Sequence, residues 1–261
     1  MTRPVGYADV DYLQAAATLF RPVKVRSYEL MFIESGHSVL DVGCGPGTDT
    51  VALSERVGAC GRVIGLDYDA AMITEARRRA AQLGVDAYVH HFRCDATVLE
   101  LTAASVDSSR CERVLMHLQR PDLALAEMVR VTKPGGRVVA AETDLGTLSF
   151  DSSEVATERQ LVRILSERLF NNAYAGRQLY RLFRRSGLTD ITVEIMTFPL
   201  TDMHLARFLS GIEAAEKEAV AGGVLSESEI QRWRTEQEGA HREGVFFASA
   251  SVVVVAGSKP R

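Results

Sequence analysis

Three glycines alternate through Asp41-Val-Gly-Cys-Gly-Pro-Gly47, between the short apolar run Ser38-Val-Leu-Asp-Val42 and a stretch of helical character from Thr48 to Val57. Glycine lets a backbone turn sharply and come close to a ligand. A loop that leaves the carboxyl end of a buried strand lies where open α/β sheets bind ligands. The spacing narrows the ligand. A dinucleotide loop reads Gly-x-Gly-x-x-Gly and offers a helix N-terminus to a pyrophosphate. Here the pattern is Gly43-x-Gly45-x-Gly47, with Thr48 where the last glycine would stand. The Gly-Lys-Ser/Thr ending of a phosphate-cradling loop is also absent. The loop therefore approaches something other than a diphosphate.

Asp67 ends the next apolar run, Arg62-Val-Ile-Gly-Leu-Asp67, about twenty residues beyond the loop. A carboxylate there can grip both hydroxyls of a ribose, or it can cap the strand end. Tyr68 follows and could lie against an adenine face. Other reactive side chains are scattered. His117 could take a proton from an acceptor, or it could serve as a hydrogen-bonding histidine at a helix end. Glu142 and Asp144 could orient a polar acceptor or cap a turn. His204 reads more readily as a surface residue. His90 and His91 point to opposite faces of a strand, so they cannot share one metal. Arg110, odd within a strand, calls for a carboxylate partner.

The elements that must position these residues alternate. Helical spacing covers Asp9 to Phe20, Pro22 interrupts it, and a short helix is expected from Lys24 to Ile33. After the glycine loop come a strand at Arg62 to Asp67, a helix from Ala70 to Leu83 capped by Asp69, and a strand at Tyr88 to Arg93. Val106 to Cys111 is polar for a buried strand, but it precedes a helix, Asp122 to Val131, the turn Lys133-Pro-Gly-Gly136, and an evident strand, Arg137 to Glu142. Strands alternating with helices imply βαβ units and a parallel sheet with helices on both faces. Beyond Glu142, helices at Ser153 to Phe170 and Gly176 to Ser186 lead to a strand at Asp190 to Phe198. Helices at Met203 to Ala221 and Ser226 to Gly239 precede a last strand, Phe246 to Ala256. That gives an N-terminal helical lid over residues 1–35 and a main domain over 36–261, with a helical insertion at about 201–243 that reads as a cap.

The whole chain sets outer bounds. Its 261 residues suit one large α/β domain with a modest insertion, or at most two small domains. The net charge of −4 lacks the basic excess of a general nucleic-acid binder. The run Arg77-Arg78-Arg79 reads as a solvated helix face. Cys44, Cys60, Cys94 and Cys111 form no metal-ligand spacing, so no metal site is expected, and unpaired cysteines suit a cytoplasmic location. No apolar run is long enough to span a membrane, and no signal-peptide pattern opens the chain.

The segment Val-Leu-Asp-Val-Gly-Cys-Gly-Pro-Gly-Thr resembles the first signature of the class I, Rossmann-like S-adenosylmethionine-dependent methyltransferases. Four more segments resemble the rest of that family's pattern in order: Val63 to Asp67, Arg93-Cys-Asp95-Ala96, Glu112 to Val131, and Lys133 to Arg137. The likeness is strong from Ser38 to Glu142 and looser through Leu179 to Thr189. It is nearest to the small-molecule branch that includes ubiquinone/menaquinone-biosynthesis C-methyltransferases. The resemblance implies a seven-stranded, mostly parallel sheet with one antiparallel strand, and S-adenosylmethionine as cofactor. It implies that Asp41, Gly43, Cys44, Gly45 and Gly47 surround the cofactor's methionine part and that Asp67 holds the ribose. Tyr68 and Met72 would flank the adenine, and Asp95 and Ala96 would meet its edge. Glu112 and Arg113 would lie near the sulfonium.

The expected reaction is methyl transfer to a carbon, oxygen or nitrogen of a small, partly apolar metabolite, quinone-like or from secondary metabolism. His117 is the candidate base. Tyr12, Phe20, Asp144, Tyr174, His204 and Phe208 are candidate acceptor contacts from the lid, the strand ends and the cap. The expected partner is the small-molecule acceptor, without nucleic acid, and a homodimer is left open. Two other readings keep the fold: a non-methylating enzyme such as a cyclase, and a non-catalytic binding protein.

Overall fold

Val39 packs into one hydrophobic cluster while Leu40 and Val42 pack into another. Successive side chains of a strand face opposite sides of its sheet, so this strand is covered on both faces. It is β1 (Ser38–Val42) of a seven-stranded sheet in a computed structural model that describes residues 16–261. The other strands are β2 (Arg62–Asp67), β3 (Val89–Arg93), β4 (Val106–Glu112), β5 (Thr132–Phe150), β6 (Thr189–Leu200) and β7 (Ala248–Ser258). Their spatial order is β3-β2-β1-β4-β5-β7-β6. The first five run parallel, and β7 runs antiparallel to both of its neighbours. The chain order reverses between β1 and β4, and ligands collect outside the strand ends at such a switch point.

The helices are α1 (Arg21–Leu30), α2 (Thr48–Val57), α3 (Ala70–Gln82), α4 (Pro121–Val131), α5 (Val155–Ile164), α6 (Ala175–Arg185), α7 (Met203–Ser210), α8 (Ile212–Ala221) and α9 (Glu227–Arg242). Leu125, Met128, Leu179 and Phe183 from α4 and α6 cover one sheet face. Leu53 and Val57 from α2, with Val23 and Tyr28 from α1, cover the other.

Polar β4 is a central strand after all. Ser108 Oγ donates to the Arg137 carbonyl at 2.9 Å, Ser109 Oγ meets Thr132 Oγ1 at 2.8 Å, and Arg110 is ion-paired. The serine hydroxyls and both terminal nitrogens of Arg110 thus have partners, which is the condition for a polar residue in a core, and only Arg110 Nε on this strand lacks one.

Several boundaries differ from those expected. Pro22 lies inside the first turn of α1, where its missing N–H costs nothing, so the helical residues 16–19 end before it, as expected, and α1 begins at Arg21 instead of Lys24. The helix expected over Asp9 to Phe20 lies largely outside the described residues. Strand β5 runs on to Phe150 because β7 pairs along its length as far as Ala248. One helix expected over Met203 to Ala221 is two, broken at Gly211 with φ +70°. Ser226 and Glu229 form a capping box that starts α9.

Helices α7, α8 and α9 build a hydrophobic cluster with α5 and the end of β5, around the fully buried Trp233 and including Phe150, Leu161 and Ile212. Phe150 meets the indole edge-on at 5.4 Å between ring centroids. Glu216, buried in the same cluster, takes the Trp233 N–H at 3.1 Å together with Arg207 and Arg234. The insertion therefore has its own core.

Candidate active site

Gly43 and Cys44 turn the chain at the end of β1, each donating its N–H to the Leu66 carbonyl, at 2.7 and 2.9 Å. This fastens the loop to β2. Gly43 has φ +71°, and a Cβ built on it would lie 2.2 Å from Val114 Cγ2. Gly45, also at positive φ, would meet nothing within 4 Å, because it opens on a cavity of about 480 Å³. That volume falls in the range of roughly 300–1,000 Å³ usual for small-molecule sites.

Asp67 forms the next part of the wall. The Gly45 N–H donates to its Oδ2 and the Asp69 N–H to its Oδ1, both at 2.9 Å. Burial pushes its carboxyl above the ordinary aspartate value, although these N–H groups oppose the shift. Tyr68 and Met72 follow along the same wall. The Arg93 guanidinium lies 5.3 Å from the Tyr68 ring centre, stiffening an otherwise exposed side chain. At the end of β3, Asp95 takes the N–H and the hydroxyl of Thr97, at 2.8 and 2.7 Å, which holds its carboxyl below the usual range. Ala96 lies beside it on the wall.

The far end of the cavity follows β4. Glu112 and Arg113 line it, and Arg113 is held at φ +54°, a conformation unusual outside glycine. A short turn, Leu115–His117, comes next. Buried Glu142 accepts its backbone N–H groups from Val114, Leu115 and Met116, at 2.9, 2.7 and 3.3 Å. Glu142 therefore caps this turn and does not face an acceptor. Burial pushes its carboxyl up to about 7 in spite of the three donors. The turn delivers His117 to the cavity, its ring centre 6.1 Å from that of Phe170. Burial, with Arg113 nearby, pushes the imidazole down to about 4, so it is neutral at physiological pH. Met116, Leu118 and Phe170 make this end largely apolar.

Beneath the loop lies an ionic network. Fully enclosed Arg110 pairs with Asp41 at 2.9 Å, Asp49 at 3.2 Å and Glu112 at 2.7 Å. Lys24, from α1, bridges Asp49 at 2.8 Å and Glu112 at 2.9 Å. Tyr28 donates its hydroxyl to Asp49. Burial pushes Asp41 up to about 7 against the pull of Arg110. Asp49 is also buried, but Lys24 and Arg110 outweigh that and hold its carboxyl well below the usual range.

Gly43, Cys44, Gly45, Asp67, Tyr68, Met72, Asp95, Ala96, Glu112, Arg113 and His117 thus meet on one cavity wall. Other expected residues are elsewhere. Asp41 is behind the loop, drawn inward by Arg110. Gly47 turns the chain into α2 at φ +77°, against Ala76, and its carbonyl accepts from Thr50. Asp144 faces away, held by Arg177 through bonds of 2.6 and 2.8 Å, and Tyr174 lies under the same guanidinium. Phe20 packs on Phe198 and backs Arg113 without lining the cavity. His204 meets His241 on the cap, and Phe208 is 46% exposed there. No residue of the insertion lines the described cavity, so the cap does not cover it. Tyr12 lies outside the described residues.

Sequence reasoning missed Lys24, Asp49, Ala17 and Phe170, all on the wall. Asp49 carried a signal as an acidic residue in the first turn of the helix after the loop. The others carried none, since only the fold brings them near.

This wall fits an adenosyl cofactor: a glycine with open space above it, and carboxylates at the ends of two adjacent strands, each already fixed by N–H donors. Among the described residues no cluster of three or more metal-ligating side chains occurs, and no helix is long and apolar enough to cross a membrane.

The chain is similar to known proteins. A family described as a methyltransferase domain matches residues 33–187. An uncharacterized 37.1 kDa protein in transposon TN4556 of Streptomyces fradiae is 36% identical over 97% of this chain and 72% of its own length. Demethylmenaquinone methyltransferase of Staphylococcus aureus is 31% identical over 67% of this chain and 77% of its own length. The crystal structure of the YcgJ protein from Bacillus subtilis superposes with a TM-score of 0.65 at 18% identity, covering 92% of this chain and 99% of that one, a likeness of fold.

Proposed function

The chain belongs to the class I, Rossmann-like S-adenosylmethionine-dependent methyltransferases, in their small-molecule branch, and we propose that it methylates a small, partly apolar acceptor held beyond His117. The observation that carries this reading is the placing of Asp67 and Asp95 at the ends of adjacent strands, on one wall with an open Gly45. In this reading S-adenosylmethionine supplies an activated methyl group on a sulfonium, whose departure leaves a neutral thioether.

The chain's own residues then bind, orient and exclude water. Asp67 would accept from the ribose hydroxyls and Asp95 from the adenine amino group, with Ala96 beside it. Tyr68 and Met72 would flank the base. Gly43 and Gly45 would let the amino-acid end approach the backbone, and Glu112 and Arg113 would border the reacting atoms. Met116, Leu118 and Phe170 would seat an apolar acceptor and keep water out. Since the donor is activated, much of the acceleration comes from alignment. His117, neutral, would accept a proton or a hydrogen bond from the acceptor. An imidazole pushed down to about 4 is a weak base, which suits an acceptor already acidic or already nucleophilic. A quinol, the reduced and nucleophilic form of the kind of compound in the Staphylococcus aureus relative's name, is one such class.

The test is incubation of the purified chain with methyl-labelled S-adenosylmethionine and a panel of apolar phenols, quinols and amines. Label in an acceptor together with S-adenosylhomocysteine supports the reading. Conversion of an acceptor without loss of methyl from the cofactor would contradict it.

A further inference from the structure

The cofactor's amino-acid end carries an ammonium and a carboxylate, and the ionic network below the glycine loop holds partners for both. We propose that Lys24 binds the carboxylate of the cofactor's amino-acid end, and that Asp49 and Glu112, which it bridges, receive the ammonium. The inference rests on the cofactor reading above and extends it to Lys24 and Asp49, which that reading leaves without a role, and to a second role for Glu112.

Position selects Lys24. The network contains Asp41, Asp49 and Glu112 against Arg110 and Lys24, with Arg113 at its edge beside Glu112, so three carboxylates face three cations. Arg110 is fully enclosed, with three carboxylates around it, and cannot turn outward. Lys24 and Asp49 keep 13% and 12% of their side-chain surface, and both, with Glu112, line the cavity. A lysine has a flexible stem and a rotatable ammonium. It can turn from its two carboxylates to a carboxylate in the cavity while the incoming ammonium takes its place. One cation then replaces another, so no carboxylate is left buried without a partner, the costly alternative.

The exchange also involves α1. Lys24 is on α1, 25 residues before Asp49 and 88 before Glu112 in the chain. In the present arrangement it pins α1 to the ends of β4 and α2. A ligand with an amino-acid end would keep that link through its own charges. A ligand without one would gain nothing from Lys24. Arg113 is the rival cation on the wall, but its guanidinium lies over the Phe20 ring at 5.2 Å, and its Nε is 3.7 Å from Glu112.

Titration calorimetry with two ligands tests this. S-adenosylhomocysteine has the amino-acid end, and 5′-methylthioadenosine keeps the adenosine and sulfur without it. For Lys24→Met, S-adenosylhomocysteine should bind about tenfold or more weaker, the size of a lost charge-assisted hydrogen bond. Its affinity for methylthioadenosine should stay unchanged, which also reports an intact adenosine site. Lys24→Arg should restore most of the difference. Equal weakening of both ligands would reduce Lys24 to a structural tie and overturn the proposal. So would an unchanged S-adenosylhomocysteine affinity, or a selective loss in Arg113→Met that is absent in Lys24→Met. A wild-type protein that binds neither ligand would instead overturn the cofactor reading beneath it.

Discussion

The Gly45 N–H donates to Asp67 Oδ2 at 2.9 Å, which ties the glycine loop after β1 to the acidic end of β2. With the Asp69 N–H on Oδ1, the carboxylate is oriented before any ligand arrives. Preorganisation of this kind reduces the ordering cost of binding. Replacing Asp67 with Ala should therefore weaken S-adenosylhomocysteine by about 1–3 kcal/mol, from lost hydrogen bonds to a charged group. Unchanged affinity, measured by calorimetry, would remove the ribose role.

Gly43→Ala should damage both fold and binding. The positive φ alone costs about 1–2 kcal/mol for a residue with a Cβ, and the new methyl would press on Val114. The double variant with Val114→Ala relieves the contact but not the backbone strain, so it should recover part of the loss in a denaturant titration. Full recovery would mean that the strain at Gly43 is negligible.

The network predicts an asymmetry between its members. Arg110→Met leaves three carboxylates facing a buried apolar side chain, and breaking a buried ion pair in this way costs about 3–5 kcal/mol. Asp41→Asn should cost much less, because burial has already pushed Asp41 up to about 7 and a neutral side chain resembles its protonated form. Equal losses in urea unfolding would contradict this division.

His117 should stay neutral across the working range. Burial, with Arg113 nearby, pushes it down to about 4, below the ordinary 6.5 of imidazole. Folding therefore favours the neutral form. Stability from this group is complete above pH 6.5 and is lost as pH falls toward 4, because the unfolded chain takes up the proton first. An NMR titration should show no His117 midpoint between pH 5 and 8. A midpoint near 6.5 would place the ring in solvent and undo the account of the turn capped by Glu142.

What could be read in advance follows from how local each signal is. The loop and Asp67 were legible because strand ends and glycine spacing are fixed by backbone geometry over short distances, whereas Asp95 was singled out only by the family resemblance. The polar strand β4 was assigned only from its neighbours, and its serines and Arg110 make sense once Arg137, Thr132 and Asp41 are seen beside them. Asp144, Tyr174, His204 and Phe208 were expected at the acceptor end and lie off the wall of the described cavity, because that end depends on how separate helices pack. Arg177 turns Asp144 aside, and Trp233 gathers the insertion into a core of its own. Lys24 could not be found from its position in a helix, since its partners come from α2 and β4.

The central claim is that one wall, from Gly45 through Asp67 to Asp95, holds an adenosyl group. A crystal structure of the chain with S-adenosylhomocysteine tests it most directly. The account predicts ribose hydroxyls on Asp67, the adenine amino group on Asp95 and the sulfur beside Glu112 and Arg113. A nucleoside bound elsewhere, or no binding at saturating ligand, would contradict it.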